Sequence, residues 1–175
     1  MVIGGTFRDV VVRAASTGDI DVVLVDRKEM DGSAMRAAGF TPVASERHVW
    51  HYRWRDRTVR LEVAATASST IPSGPFSIAF QHADEATIEG VRVPVPRIDD
   101  YVVLKLLAAT ADRRRHSRDL ADVQYALESA DDTRAATLTV PRIRARLWDA
   151  YGVTGERLKT LTELYRQVPR PRPKR

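Results

Sequence analysis

The sequence predicts an α/β (α+β) fold in which a domain of short strands and helices precedes a helical C-terminal part. Two observations support this prediction. Over residues 1–96, short apolar or alternating runs are separated by turn residues and brief helix-like stretches. Over residues 97–167, apolar residues recur at helical spacing in longer segments. The basic, proline-rich residues 168–175 are expected to form a disordered tail.

Composition restricts the possible classes of function. The 175 residues include no cysteine, which excludes disulfides and thiolate metal sites and fits a reducing, cytoplasmic location. No apolar run approaches the roughly 20 residues that cross a bilayer, so we expect a soluble protein without membrane contact. The net charge of +5 is carried mostly by arginine and favours polyanionic partners such as RNA or nucleotide phosphates. A high-GC coding genome would explain the same charge equally well.

The N-terminal residues form the first candidate site. The apolar run Val2-Ile3 ends at Gly4-Gly5-Thr6, and a short helix is predicted over residues 7–15. Glycine backbone N–H groups that lead into a helix N-terminus can bind phosphate oxygens. The next strand begins with Asp19-Ile20-Asp21, and because alternate strand residues share one face, both carboxylates project together. Such a pair can hold Mg²⁺ with substrate phosphates, although each motif in isolation is more often a turn or a strand end.

The middle of the chain is predicted to supply the remaining strands of the first domain. A short helix is predicted over residues 30–38, an alternating strand over 48–54, its hairpin partner over 58–64, and further strands over 76–80 and 87–96. The intervening loop, residues 65–75, is rich in small and turn-forming residues and could form a mobile rim of the site.

The predicted hairpin carries two features that bear on function. The aromatic residues Trp50, Tyr52 and Trp54 share one face, which favours core packing over RNA stacking. In the returning strand, Arg60 and Glu62 lie on the face opposite the apolar residues. Glu62 could therefore join the carboxylate pair, or form an ion pair with an arginine such as Arg60.

The C-terminal part begins with an apolar helix that contains Lys105. A buried ammonium group needs an anionic partner, and a nucleotide phosphate would be one. The arginine-rich run 113–118 follows, either as a solvated turn or as a phosphate-binding segment. The motif Arg118-Asp119-Leu120-Ala121-Asp122 opens the next helix, and amphipathic helices are predicted over residues 140–151 and 154–167.

These two motifs resemble those of a known superfamily. The segment 4–25, with its Gly-Gly turn and Asp-x-Asp strand, is similar to the opening of polymerase-β-type nucleotidyltransferases. The lysine helix, the arginine-rich turn and the Arg-Asp-x-x-Asp motif are more similar to small AbiEii/MenT-type toxins of bacterial toxin–antitoxin systems. The resemblance covers residues 2–126. It implies a nucleotidyltransferase fold with a small mixed sheet, in which residues 1–96 form the core and the helical residues 97–167 complete the nucleotide site.

The resemblance also implies a role for each matching residue. Asp19, Asp21 and Glu62 would bind one or two Mg²⁺ ions and act as catalytic carboxylates, with Glu62 in place of the more usual aspartate. Lys105 would contact the nucleotide, and Asp119, with Asp122 beside it in the motif, would support the site. The nucleotide-binding residues implied are Gly4, Gly5, Thr6, Arg8, Lys105 and Arg113.

The implied activity is the transfer of a nucleoside monophosphate from an NTP, with CTP or UTP favoured, to the 3′ end of tRNA, controlled by a cognate antitoxin. Some toxins of this type are silenced by phosphorylation beside the Asp-x-Asp motif, which here marks Thr17 and Ser16; the alternative is that both residues only form a turn. Rival interpretations are a transferase that modifies a protein or small-molecule hydroxyl, a catalytically silent nucleotide- or RNA-binding module, and a general nucleic-acid-binding protein.

Overall fold

Residues 1–12, 19–24, 32–46, 48–65 and 74–170 are described by the structure, which is a computed structural model. They belong to two units, Met1–Pro96 and Arg97–Arg175. In the first unit the elements are β1 (Val2–Ile3), α1 (Gly4–Phe7), a π-helical segment (Arg8–Val12), β2 (Asp19–Leu24), α2 (Ser33–Ala37), β3 (Thr41–Pro42), β4 (Val49–Trp54), β5 (Arg57–Ala65), α3 (Pro75–Gln81), β6 (Asp84–Ile88) and β7 (Val91–Val95).

Within the described part of the first unit, a five-stranded mixed sheet has the strand order β1-β2-β5-β4-β3. Strands β2 and β5 are parallel, and the other neighbouring pairs are antiparallel. The predicted hairpin is confirmed, because β4 and β5 pair across a turn at Arg55 and Asp56. This topology puts β2, the strand of the Asp-x-Asp motif, between β1 and β5.

One face of this sheet is covered by an apolar cluster. Trp50, Leu61 and Val63 are buried there, and the partly buried residues Ile20, Val22, Met35 and Phe40 pack against them. Tyr52 contacts the Phe40 ring, with 5.0 Å between centroids. Core packing is therefore the role of Trp50, as its position in an alternating strand predicts, while the side chain of Trp54 lies outside the described part. Asp21 and Glu62 alternate with these apolar residues along β2 and β5 and therefore lie on the opposite face of the sheet.

Two predicted strands of the first unit are wrong. Residues 76–80 belong to helix α3, which begins at Pro75 with Phe76, Ala79 and Phe80 at helical spacing. Proline suits the first turn of a helix because its fixed φ is helical and its missing N–H is not needed there. Residues 87–96 are not one strand, since they hold the end of β6 and all of β7, which pair in a separate two-stranded sheet.

The turn of the β6–β7 hairpin explains the second error. Glu89 and Gly90 have φ values of 49° and 81°, which is the left-handed pair that a two-residue hairpin turn requires.

Several other predictions fall partly outside the described residues: 13–15 of the first helix, 30–31 ahead of α2, and 66–73 of the loop. The first helix begins earlier than predicted, at Gly4.

The second unit is helical over its described residues, with α4 (Ile98–Ala111), α5 (His116–Ser129), α6 (Asp132–Thr137), α7 (Val140–Asp149) and α8 (Gly155–Gln167). Helix α4 is buried over most of its length, as expected for a helix that is apolar all round. At the chain end, Val168 is buried and the Arg170 guanidinium lies 4.3 Å from the centroid of the Tyr165 ring. Residues 171–175 of the predicted tail lie outside the described part. None of the helices described is long and apolar enough to span a membrane.

Candidate active site

Two acidic residues, Asp21 and Glu62, lie side by side on the face of the sheet opposite the apolar cluster. Asp21 of β2 is in register with Glu62 of the parallel strand β5, and Asp19 is in register with Arg60. Side chains of paired residues in neighbouring strands point to the same face, and the strands are about 4.8 Å apart. The register thus brings together two of the three predicted carboxylates. For Asp19 the backbone lies in β2, and its side chain is outside the described part.

The backbone of Gly4 lies close to the side chain of Asp21. It has φ +64°, and a Cβ atom built on it would lie 1.8 Å from Asp21 Oδ2 and 2.9 Å from Asp21 Cβ. Only glycine leaves room for this contact, and glycine also adopts a positive φ without steric cost. The predicted Gly-Gly turn therefore fixes the position of the Asp21 carboxylate at the first turn of α1, and its role in phosphate binding stays a prediction.

Glu62 is engaged in an ion-pair network. Its Oε1 atom accepts a hydrogen bond from Arg60 Nη1, and Arg60 Nη2 also contacts Glu46 Oε2. The ion pair with Arg60 that the sequence left open is thus formed, between residues two apart in the same strand β5. The side chains of all three residues are partly exposed, so water screens these contacts and their net contribution to stability is small. Glu62 could exchange Arg60 for another cation at little cost.

The donor chemistry of this face fits a magnesium ion. Mg²⁺ prefers carboxylate oxygens and is usually held by one or two of them together with water and substrate phosphates. Asp21 and Glu62 supply two such groups on one face. Among the described residues there is no group of three or more histidine or acidic side chains that could hold a metal ion. Asp19, two residues before Asp21 in β2, is the third carboxylate predicted from sequence, and it remains a prediction as a ligand.

Arg8 was predicted to neutralise the triphosphate, and it lies in the π-helical segment beside Asp9. Its Nε atom donates a hydrogen bond to Asp9 Oδ1 at 2.9 Å, and both side chains are largely buried. The charge of Arg8 is thus compensated in part by its neighbour.

In the second unit, a buried cluster forms around Lys105. Its Nζ atom lies 2.9 Å from Asp119 Oδ1 and 2.6 Å from Asp122 Oδ2, and 5.6 Å from the centroid of the Tyr101 ring. Lys105 is 8% exposed and Asp119 is fully buried. The lysine does have the anionic partner that its burial requires, but that partner is a pair of carboxylates of the chain rather than a phosphate. Arg115 Nε adds a second cation, 3.3 Å from Asp119 Oδ2.

The spacing of the two aspartates explains this geometry. Residues three apart on a helix share a face, so Asp119 and Asp122 of α5 point together toward α4. Asp119 does not cap its own helix, since the residue at the N-cap position of α5 is Arg115. Because two carboxylates meet Lys105 and Arg115, the cluster is close to electrically neutral.

The arginines of the run between α4 and α5 make different contacts. Arg113 is exposed, and its side chain has no ion-pair partner in the part of the chain described. Arg114 hydrogen-bonds to Asp112, and these hydrogen bonds lower the pKa of the Asp112 carboxyl. Arg115 contacts Asp119. Among the described residues, Arg113 is therefore the one of these three arginines without an ion-pair partner.

A second buried polar cluster, around Asp100, was not predicted. Arg146 donates to both Asp100 oxygens at 2.9 and 2.7 Å, and Tyr151 donates its hydroxyl to Asp100 Oδ1 at 2.7 Å. Burial raises the pKa of Tyr151, and the Asp100 carboxylate raises it further. One feature of the sequence indicates that Arg146 is partly buried: it follows Ile143 by three residues and therefore lies at the edge of the apolar stripe of its helix. Nothing local could indicate that its partner lies 46 residues earlier.

The predicted regulatory residues Ser16 and Thr17 lie outside the described part. A mixed sheet with the Asp-x-Asp strand beside the glycines of α1, followed by a helical unit, is the arrangement that the resemblance to nucleotidyltransferases implies. The crystal structure of an antigenic nucleotidyltransferase-like protein from Paracoccidioides brasiliensis has the same fold, with a TM-score of 0.54 and 16% sequence identity over 97% of this chain and 85% of that one.

The sequence itself matches the family model described as nucleotidyl transferase AbiEii toxin, type IV TA system, over residues 15–171. The chain belongs to this family and is therefore a nucleotidyltransferase. This confirms the resemblance, the fold class and the enzyme class predicted from sequence. The matched span includes Asp21, Glu62 and Lys105, whereas the Gly4-Gly5-Thr6 turn precedes it. No curated protein matches the chain in sequence.

Proposed function

We propose that this enzyme transfers a pyrimidine nucleoside monophosphate from CTP or UTP to the 3′ end of tRNA, using Mg²⁺, as the cytoplasmic toxin of a toxin–antitoxin pair. Family membership gives the reaction class, nucleotidyl transfer, and an antitoxin partner. Family membership does not specify the metal ion, the nucleotide donor or the RNA acceptor, which are part of this proposal. The observation that carries the proposal is the placement of Asp21, held against Gly4 and beside Glu62 on one face of the sheet.

In the proposed reaction, the oxygen of the acceptor hydroxyl attacks the α-phosphorus of the NTP, and the bond to the pyrophosphate oxygen breaks. Asp19 and Asp21 would hold the divalent cation. When bound, Mg²⁺ neutralises phosphate charge and aligns the reacting oxygens. Glu62 would accept the proton of the attacking hydroxyl, which requires it to release Arg60. The partial exposure of both side chains supports this exchange.

The nucleotide-binding residues of the proposal fall into two groups. In the first unit, the backbone of Gly4, Gly5 and Thr6 would meet the triphosphate, with Arg8 as a nearby cation. In the second unit, Arg113 would supply positive charge and Lys105 would contact the nucleotide, with Asp119 as the residue that orients Lys105. The 2.9 Å contact between Lys105 and Asp119 supports the orienting role.

A tRNA acceptor is supported by the charge of the chain. The net charge is +5, and the exposed Arg113, Arg142 and Arg144 have no ion-pair partner in the described residues. Such guanidinium groups bind nucleic-acid phosphates without reading sequence. The preference for CTP or UTP is supported by the resemblance alone.

A labelling experiment tests the proposal. The protein is incubated with each α-labelled NTP, total RNA, and either Mg²⁺ or a chelator. We expect label in the tRNA fraction with CTP or UTP, only when Mg²⁺ is present. Asp21→Asn should abolish labelling, whereas Asp56→Asn, the same change in the exposed turn between β4 and β5, should not. Label in a protein band would favour the rival transferase, and no label with any NTP would refute the proposal.

Regulation at Thr17 or Ser16 has a separate test. After co-expression with the adjacent gene, phosphopeptide mapping should find a modified hydroxyl in the peptide that contains them. A phosphate beside the Asp-x-Asp motif would add negative charge and compete with the substrate triphosphate. An inhibited but unmodified protein would exclude this mode of control.

A further inference from the structure

Helix α7 presents a tryptophan to solvent. Trp148 is 52% exposed, and no other large apolar side chain in the described part of the second unit is exposed to this extent. On the opposite side of the helix, Ile143 and Leu147 are fully buried. These residues are enough to dock α7 on its neighbours, so the core does not require an aromatic residue at position 148. An exposed indole that packing does not explain indicates a surface for a partner.

Two exposed arginines of α7 lie on either flank of Trp148, because residues two apart on a helix point in nearly opposite directions. Arg144 precedes Trp148 by four residues, so the two side chains are neighbours on the helix surface, about 6 Å apart along its axis. Arg142 lies further toward the helix N-terminus. Both are exposed, and neither forms an ion pair within the part of the chain described. The carboxylate of Asp149, next to Trp148 in sequence, is also exposed, so the exposed side chains of α7 together carry one excess positive charge.

The third arginine of α7, Arg146, differs from Arg142 and Arg144 because it has an ion-pair partner. Arg146 is bound to both oxygens of Asp100. On α8, the exposed Arg166 is paired with Glu163 at 3.1 Å. Arg142 and Arg144 therefore differ from both in having positive charge available for a ligand.

A partner for this face must provide both a flat aromatic surface and negative charge. A single-stranded nucleic acid provides both, because a base can stack on the indole while its phosphates meet the guanidinium groups. A protein partner would be expected to cover a larger contiguous apolar area. On α7 itself, the exposed apolar neighbour of Trp148 one turn away is the small residue Ala145.

We propose that Arg142, Arg144 and Trp148 form a docking surface for an unpaired segment of the acceptor RNA. This inference rests on the proposed function in taking RNA as the acceptor, and it goes further by assigning a binding surface outside the reacting groups. Trp148 stacks on one exposed base, and Arg144 binds a phosphate next to it.

Titration with purified tRNA and with a single-stranded oligoribonucleotide of about eight nucleotides tests the surface. Binding is followed by tryptophan fluorescence and by anisotropy of a labelled oligonucleotide. Trp148→Ala should weaken binding about fivefold or more, since stacking one base contributes at least this factor. Trp148→Phe should retain most of the affinity and lose the fluorescence quenching. Arg144→Gln should reduce the slope of log affinity against log salt by about 0.7.

Arg166→Gln is the matched control, because it removes one exposed guanidinium that already has a partner, and it should leave RNA affinity unchanged. The Tm of each variant is measured to verify folding. Equal RNA affinity of Trp148→Ala and the unmodified protein would overturn the inference. So would a Trp148→Ala variant that binds RNA normally and fails only to bind the antitoxin.

The labelling assay separates this inference from the proposed function. If the unmodified protein labels tRNA and Trp148→Ala does so with the same KM for tRNA, the docking surface is wrong and the proposed function stands. If the unmodified protein labels no RNA but binds the oligonucleotide through Trp148, the proposed function fails and the surface stands.

Discussion

The contact between Gly4 and Asp21 leads to a specific prediction for Gly4→Ala. The new methyl group would lie 1.8 Å from Asp21 Oδ2 and 2.9 Å from Asp21 Cβ. Neither separation is possible between non-bonded atoms. The carboxylate can rotate away, but the Cβ atom is fixed to strand β2, so the backbone of one element must also move. We expect the Asp21 carboxylate to leave its position on the sheet face.

Two terms contribute to the cost of this substitution. Alanine at φ +64° is strained by about 1–2 kcal/mol, because its Cβ crowds the following carbonyl oxygen. Overpacking against Asp21 adds about 1–3 kcal/mol. The free energy of unfolding should therefore fall by about 2–5 kcal/mol, and nucleotidyl transfer should be lost.

Gly90→Ala provides the control for the first term. Gly90 has φ +81° in the β6–β7 turn, and no atom lies within 4 Å of a Cβ built on it. This variant should lose only the strain term, about 1–2 kcal/mol, and keep its activity. Urea unfolding gives the two free energies, and label transfer from NTP gives the activities. If both variants are equally stable and equally active, the contact between Gly4 and Asp21 does not position the carboxylate.

Two further predictions concern buried charges and hydroxyls of the second unit. Lys105→Met should lower the free energy of unfolding by about 3–5 kcal/mol in urea denaturation, because Asp119 and Asp122 would remain buried without this cation. Alkaline stability should depend on Tyr151, whose pKa is raised from 10.0 by burial and by Asp100. Folding then holds this proton more tightly, so stability is complete below about pH 10 and falls above it by up to about 1.4 kcal/mol per pH unit. Tyr151→Phe should reduce that fall in urea unfolding between about pH 9 and about pH 11.

Each of these predictions has a clear contrary result. Lys159→Met removes a lysine whose contact with Glu156, at 3.5 Å, is exposed, and it should change stability by less than about 1 kcal/mol. If Lys105→Met costs no more than this, the buried cluster is not held by its lysine. If Tyr151→Phe loses stability with pH as steeply as the unmodified protein, the hydroxyl does not keep its proton on folding.

Local patterns in the sequence were sufficient to predict several of the strands and helices. The alternation in β4 and β5 placed Trp50 and Leu61 in the core and Glu62 on the opposite face, because side-chain direction in a strand reverses with every residue. The apolar spacing in the second unit predicted α4, α5, α7 and α8 for the same local reason. The same alternation predicts that Asp19 and Asp21 share one face without reference to any other strand, and the side chain of Asp19 lies outside the described part.

Local patterns predicted the wrong element where a short apolar run fits both the strand period and the helix period. Residues 76–80 read as a strand, yet Pro75 begins a helix there and Ala79 is fully buried within it. In the β6–β7 hairpin, the turn at Glu89 and Gly90 lies inside what looked like one continuous strand. In both cases a turn or helix start outweighed the apolar pattern.

The sequence by itself determined which residues carry charge on which face, and it identified the two motifs of a nucleotidyltransferase. Only the tertiary structure decided how those charges are paired. Lys105 meets Asp119 and Asp122, and Arg146 meets Asp100, through contacts that no local period encodes, whereas Glu62 meets Arg60 two residues away in its own strand. The physical reason is that an ion pair depends on which elements pack together, and residues 14 or 46 positions apart become neighbours only when their helices do.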